Sequence, residues 1–539
     1  IPAHQNMDNL DTAIASIPAG GGGSSVPRLA SYDSGTKTLS GENFGSTQGT
    51  VYMLDRETNL FVAQTVSSWS NTAIVLSSPV SFSYNSTSIY VHLASGEDTN
   101  KIILINPTLS QDTTVFWIDG STIRHATTTV SLTSSYNLYS ASTYSIGGYT
   151  VQRDDIIGVD FGTDYSYFSN SYLLSCFQGL CQPIYVPAGV SYLGGSFMYK
   201  CYKYNEPVRI DATSLNDYIL MECTTLNQPV EIPNVVGTIS SYFLSDCYSF
   251  NQPFSSNATE IYSDFMNNCR SMNSPITLDS VTSVSSNFLY NCQAFNSTLS
   301  MESLEDFGQY FMRYCYAYNQ PLSLPSFNAE YPSDYFMANC TSFNNTINFP
   351  VAVKIPSSFL SGCTSFNQPI TFPLATNIGT NFLDGCFAFN SPISLPSATT
   401  VGNRFLYRCH SFNNTISIPA VNEIGEYFLY ECFSFDTDLD ISHATTINGM
   451  FMNGCSSFSK TVTLGAATTV YDDFMEYAHS CTVNVGTSTP PGDTYSLSTS
   501  DSHGNCYING INITGTNKAA WRTALPDISS SPYRKLIVV

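Results

Sequence analysis

Between Phe197 and Val462 one phrase returns twelve times, from FMYKCYKYNEPV through FLSGCTSFNQPI and FLDGCFAFNSPI to FMNGCSSFSKTV. The interval settles at 23 residues, with a degenerate copy before the series (LLSCFQGLCQPI) and another after it (FMEYAHSC). Self-similarity at a short fixed period requires a stack of like units, because one unit of this size cannot bury its own apolar face. Within a copy, IGTNFLDGC places apolar residues at helix-like spacing, whereas PISLP alternates apolar and polar. Each coil is therefore predicted to hold one short helical turn and one strand, with Pro and Ser/Thr/Asn pairs at the corners. The expected fold is mainly β with short helices, a solenoid of about 13 coils.

Two columns run through the repeat. Cys340, Cys363, Cys386, Cys409, Cys432 and Cys455 recur at one phase. A disulfide framework has irregular spacings and closes loops, so these six of the chain's 16 cysteines are expected to be small, buried, reduced side chains. Bridges between neighbouring coils are not excluded by distance alone. The second column, with Asn319, Asn344, Asn367, Asn390 and Asn413 among its members, predicts an inward-facing ladder of amides bonded to backbone groups of successive coils. A row of ligand-binding amides is the alternative. On the inward reading, the N-x-S/T matches at Asn296, Asn344 and Asn413 would carry no glycan.

The formal charge of −22 argues against nucleic acid or an anionic membrane as a main partner. Only 11% of the 539 residues are charged, which leaves a hydroxyl- and amide-rich surface suited to an extracellular or particle setting. No run of about twenty apolar residues occurs, so no membrane span is expected. Because the sequence begins at Ile1 rather than Met, a processed or partial chain is expected.

With C-x-S-F-N-Q-P-I and I-G-x-x-F-L at this period, the region from about Ser166 to Cys481 resembles the BspA-type leucine-rich repeats. The resemblance implies a leucine-rich-repeat solenoid serving in surface adhesion or recognition on bacteria, protists or bacteriophage particles, and it brings no catalytic residues with it. Upstream, LSGENFGSTQGTVYM and SSWSNTAIVLSSP resemble an IPT/TIG immunoglobulin-like domain. Gly41, Asn43, Phe44 and Gly45 match its first turn, and Trp69, Ser70, Thr72 and Ile74 its central strand. The alternating runs TVYML, AIVL and SIYVHL read independently as half-buried strands, with Trp69 in the core or, alternatively, as a sugar platform. More weakly, LDTAIASIPAGGGGSS and the closing NKAAWRTALPDISSSPYRKLIVV resemble segments of phage tail and appendage proteins.

The expected order is a junction or anchor at 1–25, an IPT/TIG-like domain at 26–106, a β-rich connector and cap at 107–165, the solenoid at 166–485 and a closing cap at 486–539. No phosphate loop, H-E-x-x-H, paired C-x-x-C or G-x-S-x-G is present, and the histidines are scattered. No catalytic residue, cofactor or metal site is assigned. The acids of DTDLD, Asp436, Asp438 and Asp440, leave a solvated edge or a weak cation site open. Residues following the column cysteines are often rings: Tyr202, Tyr248, Tyr316, Phe387, His410 and Phe433. They read either as a stabilising stack or as a ligand-contact stripe, since rings give large contact area at small entropy loss. The functional expectation is a non-enzymatic virion appendage at the virion surface, a fibre, tail or decoration protein. Its partners would be other virion proteins through residues 1–25 and a host-surface glycan or protein, with a homotrimer as one possible assembly. The alternatives are a bacterial surface adhesin and a glycan-degrading tailspike.

Overall fold

The computed structural model describes residues 26–106, 112–128, 132, 143–162, 168–330, 332–465, 469–470, 475, 481–486, 509–524 and 535–538. The chain forms two compact units, Ile1–Thr277 and Leu278–Val539. Residues 1–25, with their expected helix and glycine break, lie outside the described residues.

The first unit opens with eight strands: β1 (Arg28–Asp33), β2 (Thr38–Glu42), β3 (Thr50–Asp55), β4 (Leu60–Gln64), β5 (Val66–Trp69), β6 (Ala73–Leu76), β7 (Ser86–His92) and β8 (Ile102–Ile105). They make two four-stranded sheets, ordered β1-β2-β6-β5 and β4-β3-β7-β8. Both sheets contribute to one core through Leu29, Leu39, Val51, Ile74, Ile89, Val91 and Leu104. The alternation in AIVL thus becomes one buried and one outward face, whereas in TVYML Val51 and Leu54 are buried on opposite faces. Trp69 is half-buried at the margin of that core, its indole N–H donating to the Gly45 carbonyl at 3.1 Å.

A buried polar knot ties this β region to the start of the coils. The Arg56 guanidinium bonds Asp160 at 3.1 Å and Gln182 at 3.0 Å and lies 4.8 Å from the Phe116 ring centroid. Asp160 also accepts from the backbone N–H of Asn85 at 2.8 Å. Arg56 comes from the turn after β3, Asp160 from the strand Ile156–Asp160, and Gln182 from the residues just before the first coil strand.

About twelve turns of β-solenoid run from residue 184 on. In the first unit, Ile184–Val186, Val208–Ile210 and Val230–Glu231 pair in parallel, with Ile184 opposite Val208 and Val208 opposite Val230. In the second unit, Ile370–Thr371, Ile393–Ser394 and Ile416–Ser417 do the same. A second parallel sheet there joins Lys354–Ile355, Asn377–Ile378, Thr400–Val401, Glu423–Ile424, Thr446–Ile447 and Thr469–Val470. Such a coil has two short strands where the sequence suggested one.

The expected helical turn does not occur in the described coils; the described residues hold only a short 3-10 turn (Arg153–Asp155) and a helix near the end (Lys518–Ala524). In place of a helix, FLSDC-type segments alternate in backbone handedness, with Tyr242, Leu244 and Asp246 at φ of 62°, 55° and 59°. That alternation turns the N–H groups out of the coil: Tyr242 donates to the Ser263 carbonyl at 2.9 Å and Asp246 to that of Asn267 at 2.7 Å. In the second unit the left-handed Arg404 and Arg408 donate to the Glu426 and Tyr430 carbonyls at 2.7 and 2.8 Å. A left-handed residue costs about 1–2 kcal/mol in non-glycine residues, and the inter-coil bonds offset it. Apolar residues at i, i+1 and i+4 suit this stacked turn as well as a helix, so spacing alone could not separate the two.

Close stacking also explains the I-G pair. A Cβ on Gly379 would sit 2.5 Å from the Ser357 nitrogen, and one on Gly402 would sit 2.8 Å from Gly379. Inside the coils, Phe359, Phe382, Phe405, Phe428 and Phe451 stack at 5.1–5.4 Å, and Phe366, Phe389, Phe412, Phe435 and Phe458 at 5.5–5.7 Å.

Candidate functional site

In the first unit a groove of about 480 Å³ is lined by β1, β8, Val80, Phe82, Arg209 and Glu231. Arg209 is already held by Asp211 and Glu231, each at 2.8 Å, and no histidine or cysteine lines the groove. No group of three or more metal-ligating side chains occurs among the described residues. The DTDLD acids are turned to separate backbone amides: Asp436 to Ser459, Asp438 to Thr461 and Asp440 to Ser442, at 2.8, 2.8 and 3.0 Å. They cap neighbouring turns rather than converge on an ion.

The column cysteines are free thiols. Cys340, Cys363, Cys386, Cys409, Cys432 and Cys455 have no exposure, and each Sγ meets the carbonyl of a Leu or Met in the preceding coil at 3.1–3.2 Å. Burial pushes the thiols of Cys340, Cys363, Cys386, Cys409 and Cys432 well above their ordinary 9.0, the reverse of what a nucleophile needs. A thiol whose folded pKa is raised contributes stability that is complete below the unfolded value and lost as pH climbs toward the folded one. The melting temperature should therefore hold up to about pH 9 and fall steeply beyond it. Circular dichroism melts from pH 7.5 to 10.5 would show this, and a Cys386→Ala, Cys409→Ala double variant should flatten the fall. A level profile would contradict the burial argument.

The asparagine column sits at exposed corners, not inward. The side-chain oxygens of Asn296, Asn319, Asn344, Asn367 and Asn390 accept the backbone N–H of Asn319, Asn344, Asn367, Asn390 and Asn413, at 2.7–2.9 Å. Asn413 in turn accepts from Asp436, and Asp436 from Ser459, both at 2.8 Å. The amide points along the stack, so it can serve a neighbouring backbone while its edge stays wet. That exposure removes the ground for dismissing the N-x-S/T matches at Asn344 and Asn413.

The six rings after the cysteines separate into different settings. In the first unit Tyr202 donates to Glu222 at 3.0 Å, and Tyr248 lies under the Arg270 guanidinium at 5.2 Å. In the second, exposed Tyr316 leans on Tyr314 at 5.9 Å. Phe387, His410 and Phe433 come together: successive centroids are 5.0 and 4.8 Å apart and nearly parallel, at 19° and 24°. The end rings remain 45% and 43% exposed, so this stack is both a brace and a surface.

Beside it lies a cluster that the sequence announces in part, through Tyr407 and Tyr430 two places before Cys409 and Cys432. Arg404 stands over Tyr407 and Tyr427, at 5.1 and 5.5 Å. Arg408 covers Tyr407 at 5.1 Å and pairs with Glu431 at 3.0 Å, while Tyr407 and Tyr430 stack at 4.9 Å. Sequence reasoning missed the arginines, Arg404 and Arg408, that interleave with these tyrosines. Only the fold turns that pattern into cation–π contacts.

A family model described as BspA type Leucine rich repeat region (6 copies) matches residues 195–319, 329–459 and 376–489, together more than half of the chain. No curated protein matches. A leucine-rich repeat protein from Bacteroides ovatus ATCC 8483 aligns at 18% identity and a TM-score of 0.42, over 56% of this chain and 86% of its own. A leucine rich cell surface protein from Faecalibacterium prausnitzii A2-165 aligns at 16% identity and a TM-score of 0.25, over 56% of this chain and 94% of its own.

Proposed function

Since the chain belongs to the BspA-type leucine-rich-repeat family, we propose that it is a non-enzymatic surface protein that recognises another surface through its repeat coils. The observation that carries this reading is the exposed stack Phe387–His410–Phe433, where three rings present contact area at fixed spacing on a rigid scaffold. A ring on a stiff coil loses little entropy when it is covered, which favours adhesion. Each acid of DTDLD is engaged by its own backbone amide, which supports the non-enzymatic reading over one that needs a converging acid pair to cleave a glycan.

The finer parts of the proposal concern setting. Residues 26–106 act as an IPT/TIG-like spacer and residues 1–25 as the junction. A bacterial envelope is the first setting, with which membership of the family is compatible; a virion is the second, motivated by LDTAIASIPAGGGGSS and the closing NKAAWRTALPDISSSPYRKLIVV. Immunogold labelling separates them: grains on a cell envelope select the adhesin, and grains on a tail, fibre or capsid select the appendage. Recognition itself is tested by flow cytometry of fluorescent protein on whole cells. Wild-type protein should stain a subset of strains, and a Phe387→Ser, Phe433→Ser variant should lose at least tenfold in staining with an unchanged melting temperature. Equal staining by both proteins would move recognition away from this stack.

A further inference from the structure

We propose that the two outer faces of the Phe387–His410–Phe433 stack are slots for neutral pyranose rings of a glycan chain, an inference that rests on surface recognition by this stack and names its ligand. His410 has a ring on each face, whereas Phe387 and Phe433 each have a ring on one face only. At the same phase the preceding coil carries Thr364 and the following coil Ser456, both too short to cover a ring. The backbone keeps step across this corner: Ala388 donates to the Thr364 carbonyl at 3.2 Å, Ser411 to Phe387 at 3.3 Å and Ser434 to His410 at 3.2 Å. Each open face therefore looks past a short side chain into a ring-free stretch at least one coil spacing deep, about 4.8 Å, which is room for one flat ring.

The chemistry around the gaps chooses the ring. Next to the ring column runs a rail of exposed serines, Ser365, Ser411, Ser434 and Ser457, interrupted only by Ala388. Neither column carries a carboxylate, lysine or arginine between Thr364 and Ser457. Arg408, on the same turn as His410, is held by Glu431 at 3.0 Å. The occupant should therefore be flat and apolar on its faces, hydroxylated at its edge and uncharged. A hexopyranose meets all three conditions. An aromatic side chain would satisfy the faces and leave the hydroxyl rail unused, and an acidic sugar would find no free counter-charge in either column.

The test adds a protein ring where the sugar would lie. A Thr364→Phe, Ser456→Phe variant extends the stack by one ring at each end and fills both slots without touching Phe387, His410 or Phe433. A Thr364→Val, Ser456→Ala variant leaves the gaps open. Glucose, mannose, galactose and N-acetylglucosamine hexamers would be titrated by calorimetry into the full chain. At least one should bind wild type and the open variant alike, and the filled variant at least tenfold more weakly, with its melting temperature equal or higher. Binding of the hexamers to the filled variant as tightly as to wild type, or to neither protein, overturns the proposal. The cell-staining assay keeps the two readings apart. Staining that survives in the filled variant rejects the sugar slots and leaves surface recognition standing, whereas no staining by wild type rejects recognition itself.

Discussion

Phe405→Ala is expected to destabilise the second unit by about 3–5 kcal/mol, the range for truncating a buried aromatic. Phe405 is fully buried and stacked at 5.1 Å on both Phe382 and Phe428, with interplanar angles of 5° and 6°. Its neighbours are fixed by the same ladder and cannot collapse into the hole, because each is committed to the next coil at coil spacing. The loss should also be local. Coils contact mainly their neighbours, so stability is close to a sum of coil and interface terms. Hydrogen exchange should accelerate most in the coils bearing Phe382, Phe405 and Phe428, while denaturant unfolding reports the total. Phe433→Ala, at a ring 43% exposed, should cost under about 1 kcal/mol. Similar losses at both positions would mean that the inner ladder is not the main cohesive element.

Arg56→Ala should be equally damaging to the first unit, by about 3–5 kcal/mol. The Arg56 and Asp160 side chains are 1% and 3% exposed, so removing one leaves the other charge buried without its partner. The carboxylate would keep the Asn85 amide at 2.8 Å but lose its only counter-ion at this site. Asp160→Asn retains an acceptor for that amide and strands the guanidinium instead, so it should fall in the same range. The informative variant removes both charges. Arg56→Met with Asp160→Asn should recover at least half of either single loss, because replacing a buried pair is far less costly than breaking it. Thermal melts of the four proteins supply the cycle, and additive losses would show that the two charges do not depend on each other.

The family and its period were fully legible from the phrase that recurs every 23 residues, since a sequence repeat of that length leaves stacking as the only way to bury its apolar positions. The backbone within a coil was not. F-L-x-x-C implied a helical turn, and the second strand of the coil, as in Thr400–Val401, is only two residues long. Two residues cannot display a period, so no local pattern could announce that strand. The left-handed residues of the FLSDC-type segments are only half visible: glycine or asparagine precedes the column cysteine at Asn268, Asn291, Asn339, Gly362, Gly385 and Gly454, whereas tyrosine and leucine, as at Tyr242 and Leu244, do not favour that conformation in isolation. They adopt it because N–H groups turned outward find carbonyls in the adjacent coil.

The candidate site divides along the same line. By itself the sequence determined which positions form columns: cysteine and asparagine at one phase each, rings at the position after cysteine, and acids in DTDLD. Tertiary structure decided which way each column faces. It exposed the asparagines, dispersed the acids onto separate amides, and left Tyr202, Tyr248 and Tyr316 apart while stacking Phe387, His410 and Phe433. The physical reason is that a repeat fixes phase along the chain, whereas orientation depends on the side chain that the next coil presents at the same phase. Thr341 and Thr364 interrupt the rings between Tyr316 and Phe387, and Ser456 ends them after Phe433. A stack and its open faces exist only once neighbouring coils are in register.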